Sequence, residues 1–323
     1  YCSPRPWNLR GKKLLYDKCG RPTLNFRISL TQRCNLRCVY CHREGQIPGL
    51  ALPEMTLEEV VRIARIAVSL GMNRIKLTGG EPLLRTDIVE IVHGLAGISG
   101  LHDLSMTTNG THLSTLAKPL KEAGLNRINI SLPSLDPKIY STVCGGNLDE
   151  ALKGVEATVE VGLNPVKLNM LVLRSVNTDG ISEMIEFARK SHTILQLIEL
   201  EPVNIKDDYY REHFFSLNGL EQELKKQAVE VSTRGDMQNR HVYTLPSVKV
   251  EVVHPIENTE FCARCTRLRL TSDGKLKPCL MVNDNLVDIL TSLRKGATDE
   301  ELKELFITAV KQREPYHKPS RTT

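Results

Sequence analysis

The sequence predicts an α/β fold: a partial (βα)6, TIM-like barrel over residues 1–215, followed by a smaller C-terminal domain over residues 216–323. Three observations lead there. Six short apolar strands alternate with amphipathic helical stretches, the pattern of a parallel sheet, and six units fall short of the eight that close a full barrel. Polar residues or glycines recur where each strand ends, the rim on which α/β barrels build their sites. After about Val203 the alternation gives way to polar, charged segments with shorter strands.

In chain order, Asn25 to Leu30 reads as the first strand, with Phe26, Ile28 and Leu30 alternating, and runs into a cysteine-rich loop. Thr56-Leu57-Glu58-Glu59 is a capping box; Val60, Ile63, Ala64, Ala67 and Val68 share one helical face, and Gly71 stops the helix. Arg74 to Leu77 is the next strand, with Thr78-Gly79-Gly80-Glu81-Pro82 at its end. Strands follow at Asp103 to Met106, Arg127 to Ile130, Val166 to Leu173 and Ile194 to Leu200. Helical stretches at Asp87 to Leu95, Leu113 to Ala123, Leu148 to Val161 and Ile181 to Lys190 separate them. Later strands are expected at His241 to Leu245, Val248 to Val253 and Leu268 to Thr271.

The composition, 41% hydrophobic and 25% charged, is that of a globular protein able to bury a core. No apolar run reaches the roughly 18 residues of a membrane span, and no signal-like segment is seen from Tyr1 to Gly20, so a cytoplasmic location is expected. Disulfides are rare there, which turns the nine cysteines toward metal or catalysis. A net charge of +5 fits a slightly basic enzyme, part of whose excess is available to a polyanionic nucleotide. With 5% aromatic residues and no long basic block except the tail around Lys311 to Arg321, neither nucleic acid nor membrane is expected as a partner.

Six cysteines form two triplets: Cys34, Cys38 and Cys41 (C-x3-C-x2-C), and Cys262, Cys265 and Cys279 (C-x2-C-x13-C). A closed zinc or iron–sulfur site takes four ligands, so three leave a coordination position open. The first triplet suits three irons of a four-iron cube. The alternatives are zinc completed by His42 or a distant residue, or haem attachment through Cys38-Val39-Tyr40-Cys41-His42, which needs export and leaves Cys34 unexplained. The second triplet alone reads equally as a zinc ribbon one ligand short. Cys2, Cys19 and Cys144 have no partners by spacing.

Cys34 to Cys41, Tyr40 before the last cysteine, and Gly79-Gly80-Glu81-Pro82 one strand later resemble the radical S-adenosylmethionine superfamily. The second triplet followed by Arg267-Leu268-Arg269 is similar to one branch of it, the GTP 3′,8-cyclase (MoaA) family of molybdenum cofactor biosynthesis, in an archaeal-like form. Further matching segments are Phe26-Arg27-Ile28-Ser29, Ile75 to Arg85, Thr107-Thr108-Asn109-Gly110, Asn129-Ile130-Ser131-Leu132 and Pro165 to Met170.

The resemblance implies a lyase with two [4Fe-4S] clusters and S-adenosyl-L-methionine as cofactors, converting GTP to 3′,8-cyclo-7,8-dihydroguanosine 5′-triphosphate. It makes Cys34, Cys38 and Cys41 the catalytic cluster ligands and Cys262, Cys265 and Cys279 the ligands of a second cluster that holds the guanine. Tyr40, Gly80, Ser131 and Glu201 would contact S-adenosylmethionine; Arg27, Lys76, Thr107, Lys167, Arg267, Leu268 and Arg269 would line the GTP site. The Gly79-Gly80 pair is expected to let backbone approach the methionyl group. Further expected partners are an electron donor and the next enzyme of the pathway, cyclic pyranopterin monophosphate synthase, with homodimerisation left open.

The chain departs from the bacterial pattern at Gln196 and Glu201, where an arginine and a methionine are usual, at His42-Arg43-Glu44, and in a tail ending Lys318 to Thr323 without a Gly-Gly pair. The competing enzyme reading is a related two-cluster radical enzyme acting on another small molecule or a peptide; no leader-binding segment is seen before Cys34, which weighs against the peptide. The non-enzyme reading is a zinc-stabilised binding module.

Overall fold

The computed structural model describes residues 14–46, 54–235, 237–256 and 259–314. Cys2 and the residues from Lys318 to Thr323 lie outside these. Six parallel strands lie side by side in chain order: β1 (Asn25–Ser29), β2 (Arg74–Thr78), β3 (Asp103–Thr108), β4 (Arg127–Ser131), β5 (Val166–Val172) and β6 (Ile194–Glu199). The connecting helices are α1 (Leu57–Ser69), α2 (Ile88–Ala96), α3 (Leu113–Glu122), α4 (Pro137–Cys144), α5 (Leu148–Glu160) and α6 (Ile181–Lys190). The expected strands and helices are present within a few residues at their ends, while α4 was not anticipated. Thr56 caps α1 as foreseen, accepting from Glu59 N at 3.3 Å while the Glu59 carboxylate accepts from Thr56 N at 2.8 Å.

The region after β6 contributes α7 (Asp207–His213), α8 (Asn218–Gln227), β7 (Glu230–Arg234), β8 (Arg240–Leu245) and β9 (Val248–Val253). It continues with α9 (Thr259–Ala263), β10 (Arg267–Leu270), β11 (Lys275–Lys277), β12 (Val287–Asp288), α10 (Leu290–Arg294) and α11 (Asp299–Lys311). These strands do not build a sheet of their own. One twelve-stranded sheet runs β12-β11-β10-β1-β2-β3-β4-β5-β6-β9-β8-β7, so the C-terminal third flanks the six-stranded unit on both sides. β9 pairs parallel with β6, and β10 pairs parallel with β1. The shorter strands of the polar, charged region are therefore continuations of the sheet.

The period-two alternation sends apolar residues to one face and polar ones to the other. Phe26, Ile28, Ile75 and Leu77 pack beneath the helices, where the Phe26 and Phe306 rings lie 5.5 Å apart. Arg27 and Lys76 face the opposite side. Register sets polar side chains abreast across neighbouring strands: Arg269, Arg27 and Lys76 occupy one row over β10, β1 and β2. Thr107, Asn129 and Lys167 form another over β3, β4 and β5. These rows form the inner wall of a cavity.

Candidate active site

The first cysteine loop is fastened to the strand beside it. Gly80 N donates to Thr31 O at 2.6 Å and Glu81 N to Arg33 O at 2.7 Å. A Cβ on Gly79 would stand 2.7 Å from Thr31 O, and one on Gly80 2.2 Å from Arg33 O. The glycine pair is thus required by close approach of the chain to itself, a reason the sequence reading did not give. Glu81, fully buried, holds the other side: its carboxylate accepts from Thr108 Oγ1 (2.7 Å), Asn109 N (2.7 Å) and Leu83 N (3.0 Å). Burial nevertheless raises its pKa to about 7. Asn109 in turn donates to Asn35 at 2.8 Å, within the cysteine loop itself. Arg37 N and Val39 N donate to the last carbonyls of α4, tying the loop at a third point.

Cys34, Cys38 and Cys41 line a cavity of about 250 Å³ inside the partial barrel. Tyr40, Gly80 and Ser131 line it beside them. The expected substrate residues Arg27, Lys76, Thr107, Lys167, Arg267 and Arg269 line it as well. Cys262, Cys265 and Cys279 line a neighbouring cavity of about 80 Å³. Glu201, Phe261, Arg267, Arg269 and Leu280 border both, forming the partition between them. Of the expected site residues only Leu268 borders neither; it is fully buried on the helix-facing side of β10. Among the described residues no three Cys, His, Asp or Glu side chains converge as a single-ion site.

The donor set fits the cofactors implied by the sequence. Three thiols share the wall of one cavity with basic and hydroxyl groups, and thiol sulfur is the natural ligand of iron–sulfur centres. Buried polar atoms at this cavity lack protein partners: Thr107 Oγ1, Glu201 Oε2 and Arg240 Nε. Burial pushes the Cys34 thiol up to about 11. Cys38 is raised first by its hydrogen bond with Cys144, then by burial. Ligation therefore has to displace protons there. At the second triplet burial also opposes ionisation of Cys265, but Arg313, Arg267 and Arg21 outweigh it and lower the pKa. Arg21 additionally donates to Cys262 O at 2.9 Å, and Arg313 to Cys265 O. Asp17 pairs with both arginines, so an N-terminal turn holds the C-terminal cysteine loop.

The basic row is counterbalanced from within. Glu44 pairs with Arg27 at 3.4 Å and with Arg269, and those charges hold its carboxyl down at about 2 despite burial. Lys167 pairs with buried Glu251, which also accepts from Gln196 Nε2 at 2.7 Å. Burial brings Lys167 down to about 8. Lys76 donates to Asn129 at 2.8 Å, and burial lowers its pKa strongly. Sequence reasoning missed Glu44 and Glu251 as internal counter-charges, along with Arg127, Arg234 and Arg240 as cavity residues. Alternation in β4 and β8 was available as a signal, but a lone arginine in a short strand reads as solvated. Cys19, expected to be partnerless, is disulfide-bonded.

Residues 28–188 match the Radical SAM superfamily, and residues 193–319 match Molybdenum Cofactor Synthesis C. A probable GTP 3′,8-cyclase of Thermococcus kodakarensis is 51% identical over 94% of this chain and 100% of its own length. The namesake of Methanothermobacter thermautotrophicus is 44% identical over 94% of this chain and 99% of its own. The chain belongs to the GTP 3′,8-cyclase family of the radical SAM superfamily. The fold is shared more widely. Streptococcus suis SuiB superposes with a TM-score of 0.61 at 19% identity, covering 91% of this chain and 66% of SuiB. In the SuiB structure with its precursor peptide this chain spans 61% of that protein, below two thirds of its length. anSMEcpe with bound AdoMet gives 0.58 at 15% identity, covering 90% and 81%. Both likenesses support the mixed α/β architecture of a partial barrel with a parallel sheet.

Proposed function

We propose that the chain is a radical S-adenosylmethionine enzyme that cyclises GTP to 3′,8-cyclo-7,8-dihydroguanosine 5′-triphosphate in molybdenum cofactor biosynthesis. One observation carries the reading: three thiols and a set of basic residues line one cavity, and a second thiol-lined cavity adjoins it through Arg267 and Arg269. Cys34, Cys38 and Cys41 would hold the first [4Fe-4S] cluster, and Cys262, Cys265 and Cys279 the second. When bound, the first cluster with S-adenosylmethionine supplies an electron-driven source of a 5′-deoxyadenosyl radical.

The protein's own residues do the rest. Tyr40, Gly80, Ser131 and Glu201 border the space beside the first triplet and position the cofactor. Arg27, Lys76, Lys167, Arg267 and Arg269 supply positive charge toward a triphosphate, the arginines with paired donors. Thr107 offers its unpartnered hydroxyl; Leu268, facing away, contributes through its backbone or through packing. The enclosing sheet keeps the reacting carbon near one hydrogen and apart from water. We assign residues 1–215 to radical generation and residues 216–323 to the second cluster, two roles on one continuous sheet. The enzyme would work in the cytoplasm with an electron donor and pass its product to cyclic pyranopterin monophosphate synthase. No described helix is long and apolar enough to cross a membrane.

Anaerobic reconstitution is expected to give a brown protein with about eight irons per chain. Incubated reduced with S-adenosylmethionine and each nucleoside triphosphate in turn, it should form 5′-deoxyadenosine faster with GTP, carrying the ribose 3′ hydrogen. Equal rates with GTP and ATP would sink the reading. Substituting Cys34, Cys38 or Cys41 by Ala should abolish S-adenosylmethionine cleavage. C262A should retain uncoupled cleavage and lose GTP turnover; loss of both would refute the division of labour.

A further inference from the structure

The β7–β8 hairpin carries two arginines that the reading above does not use. Arg234 and Arg240 stand directly opposite in register on antiparallel strands, and both line the main cavity. Like charges at opposed positions destabilise a hairpin unless something neutralises them. The acid nearest them is Glu251, and it is already engaged: its carboxylate accepts from Lys167, from Gln196 and from Arg234 at 3.0 Å. Among the described residues Arg240 is left with one neutral hydrogen-bond partner, Gln238, at 3.1 Å, and its Nε is buried without any. Elsewhere on the same walls Glu44 and Glu201 face Arg27, Arg267, Arg269 and Lys76, so positive charge is in excess throughout. Burial brings the pKa of Arg240 down to about 10, with Glu251 and Glu201 opposing the shift and Arg234 and Arg27 adding to it.

We propose that Arg234 and Arg240 form a phosphate-gripping arm, approaching the triphosphate from the β6 side of the sheet while Arg27, Arg267 and Arg269 approach from the β1 side. The proposal rests on the GTP reading for the identity of the base, but the arm itself recognises only phosphates. Planar guanidinium groups with paired donors suit adjacent phosphate oxygens, and Arg240 Nε is a buried donor ready for one. Glu251 then acts as the positioning residue that orients Arg234 and Lys167 toward the cavity.

Calorimetric titration of reconstituted protein with GTP, ATP and guanosine tests the arm, with thermal unfolding recorded for each variant. R240Q should weaken GTP and ATP alike by about 10- to 100-fold while guanosine changes by less than about threefold. R234Q should act in the same sense, and the dependence of GTP affinity on salt should become shallower in both. Unchanged GTP affinity, or an equal loss for GTP and guanosine, overturns the proposal. Should R240Q fail to fold, R240K keeps the charge without the paired donors; a GTP affinity equal to wild type is then the overturning result. The two readings fail separately. A wild-type protein that binds GTP no better than ATP defeats the cyclase assignment, whereas a GTP affinity unaffected by R240Q defeats only the arm.

Discussion

Glu81 and Gly80 show how single residues position this site. Both line the cavity, and both fasten the loop bearing Cys34, Cys38 and Cys41. Replacing Gly80 by Ala forces a Cβ to within 2.2 Å of a backbone oxygen that has no free direction to move. We expect G80A to lower stability by about 2–4 kcal/mol, a cost of the kind set by backbone strain and overpacking. It should also remove S-adenosylmethionine cleavage; a variant as stable as wild type in urea would contradict this. At this scale the sequence was most informative where a residue type is restrictive. Cysteine triplets and a Gly-Gly-Glu-Pro run announce themselves, and every thiol expected at the site borders one of the two cavities. Glu44, Glu251 and Arg240 were invisible because glutamate and arginine are ordinary surface residues until a partner far along the chain, or a strand register, shows otherwise. The pairing of Glu44 with Arg269, separated by 225 residues, is such a case.

Among the elements, the junction of β6, α8, β8 and β9 is held by a histidine between two acids. His254 Nδ1 lies 2.7 Å from Glu199 and Nε2 2.9 Å from Glu221, so both ring nitrogens carry protons. Glu221 also accepts from Tyr243 at 3.0 Å and faces His241 at 3.1 Å, while Glu199 accepts from Leu217 N. Burial opposes the charged ring, but the two carboxylates outweigh it and raise the His254 pKa from 6.5 to about 9. A raised folded-state value stabilises below the unfolded pKa, and that stability is lost as pH climbs through the folded one. Urea midpoints should therefore fall between about pH 6.5 and pH 9, by about 1–2 kcal/mol after allowing for solvent screening. H254Q should flatten that slope; an unaltered slope would show that the charge resides elsewhere. The elements themselves were largely legible, since periods of two and of 3.6 with a capping box mark strands and α1 unambiguously. The polar β7 was not, because all but the last of its residues are exposed and no apolar alternation marks it.

For the whole molecule, the C-terminal third flanks the barrel unit on both sides, a placement the sequence pattern does not specify. Local patterns specify a strand but not its neighbour, and β10 beside β1 is a pairing between opposite ends of the chain. Packing agrees with the sheet: Arg62 reaches Asp299 at the start of α11, and Arg294 reaches Glu59 on α1. A fragment ending at residue 215 would leave the edges of β1 and β6 unpaired, templates for association. We expect it to aggregate, and a monomeric, cooperatively folded fragment in size-exclusion chromatography and urea titration would show that the barrel half is self-sufficient. The same order has a consequence for biosynthesis. Arg21 reaches the Cys262 carbonyl across 241 residues, and the partition between the cavities rests on β10. Contacts so distant in sequence close slowly and late. A ribosome-bound chain thus displays Cys34, Cys38 and Cys41 long before Cys262, Cys265 and Cys279 emerge, so the two groups of thiols meet the surrounding solution one after the other rather than together.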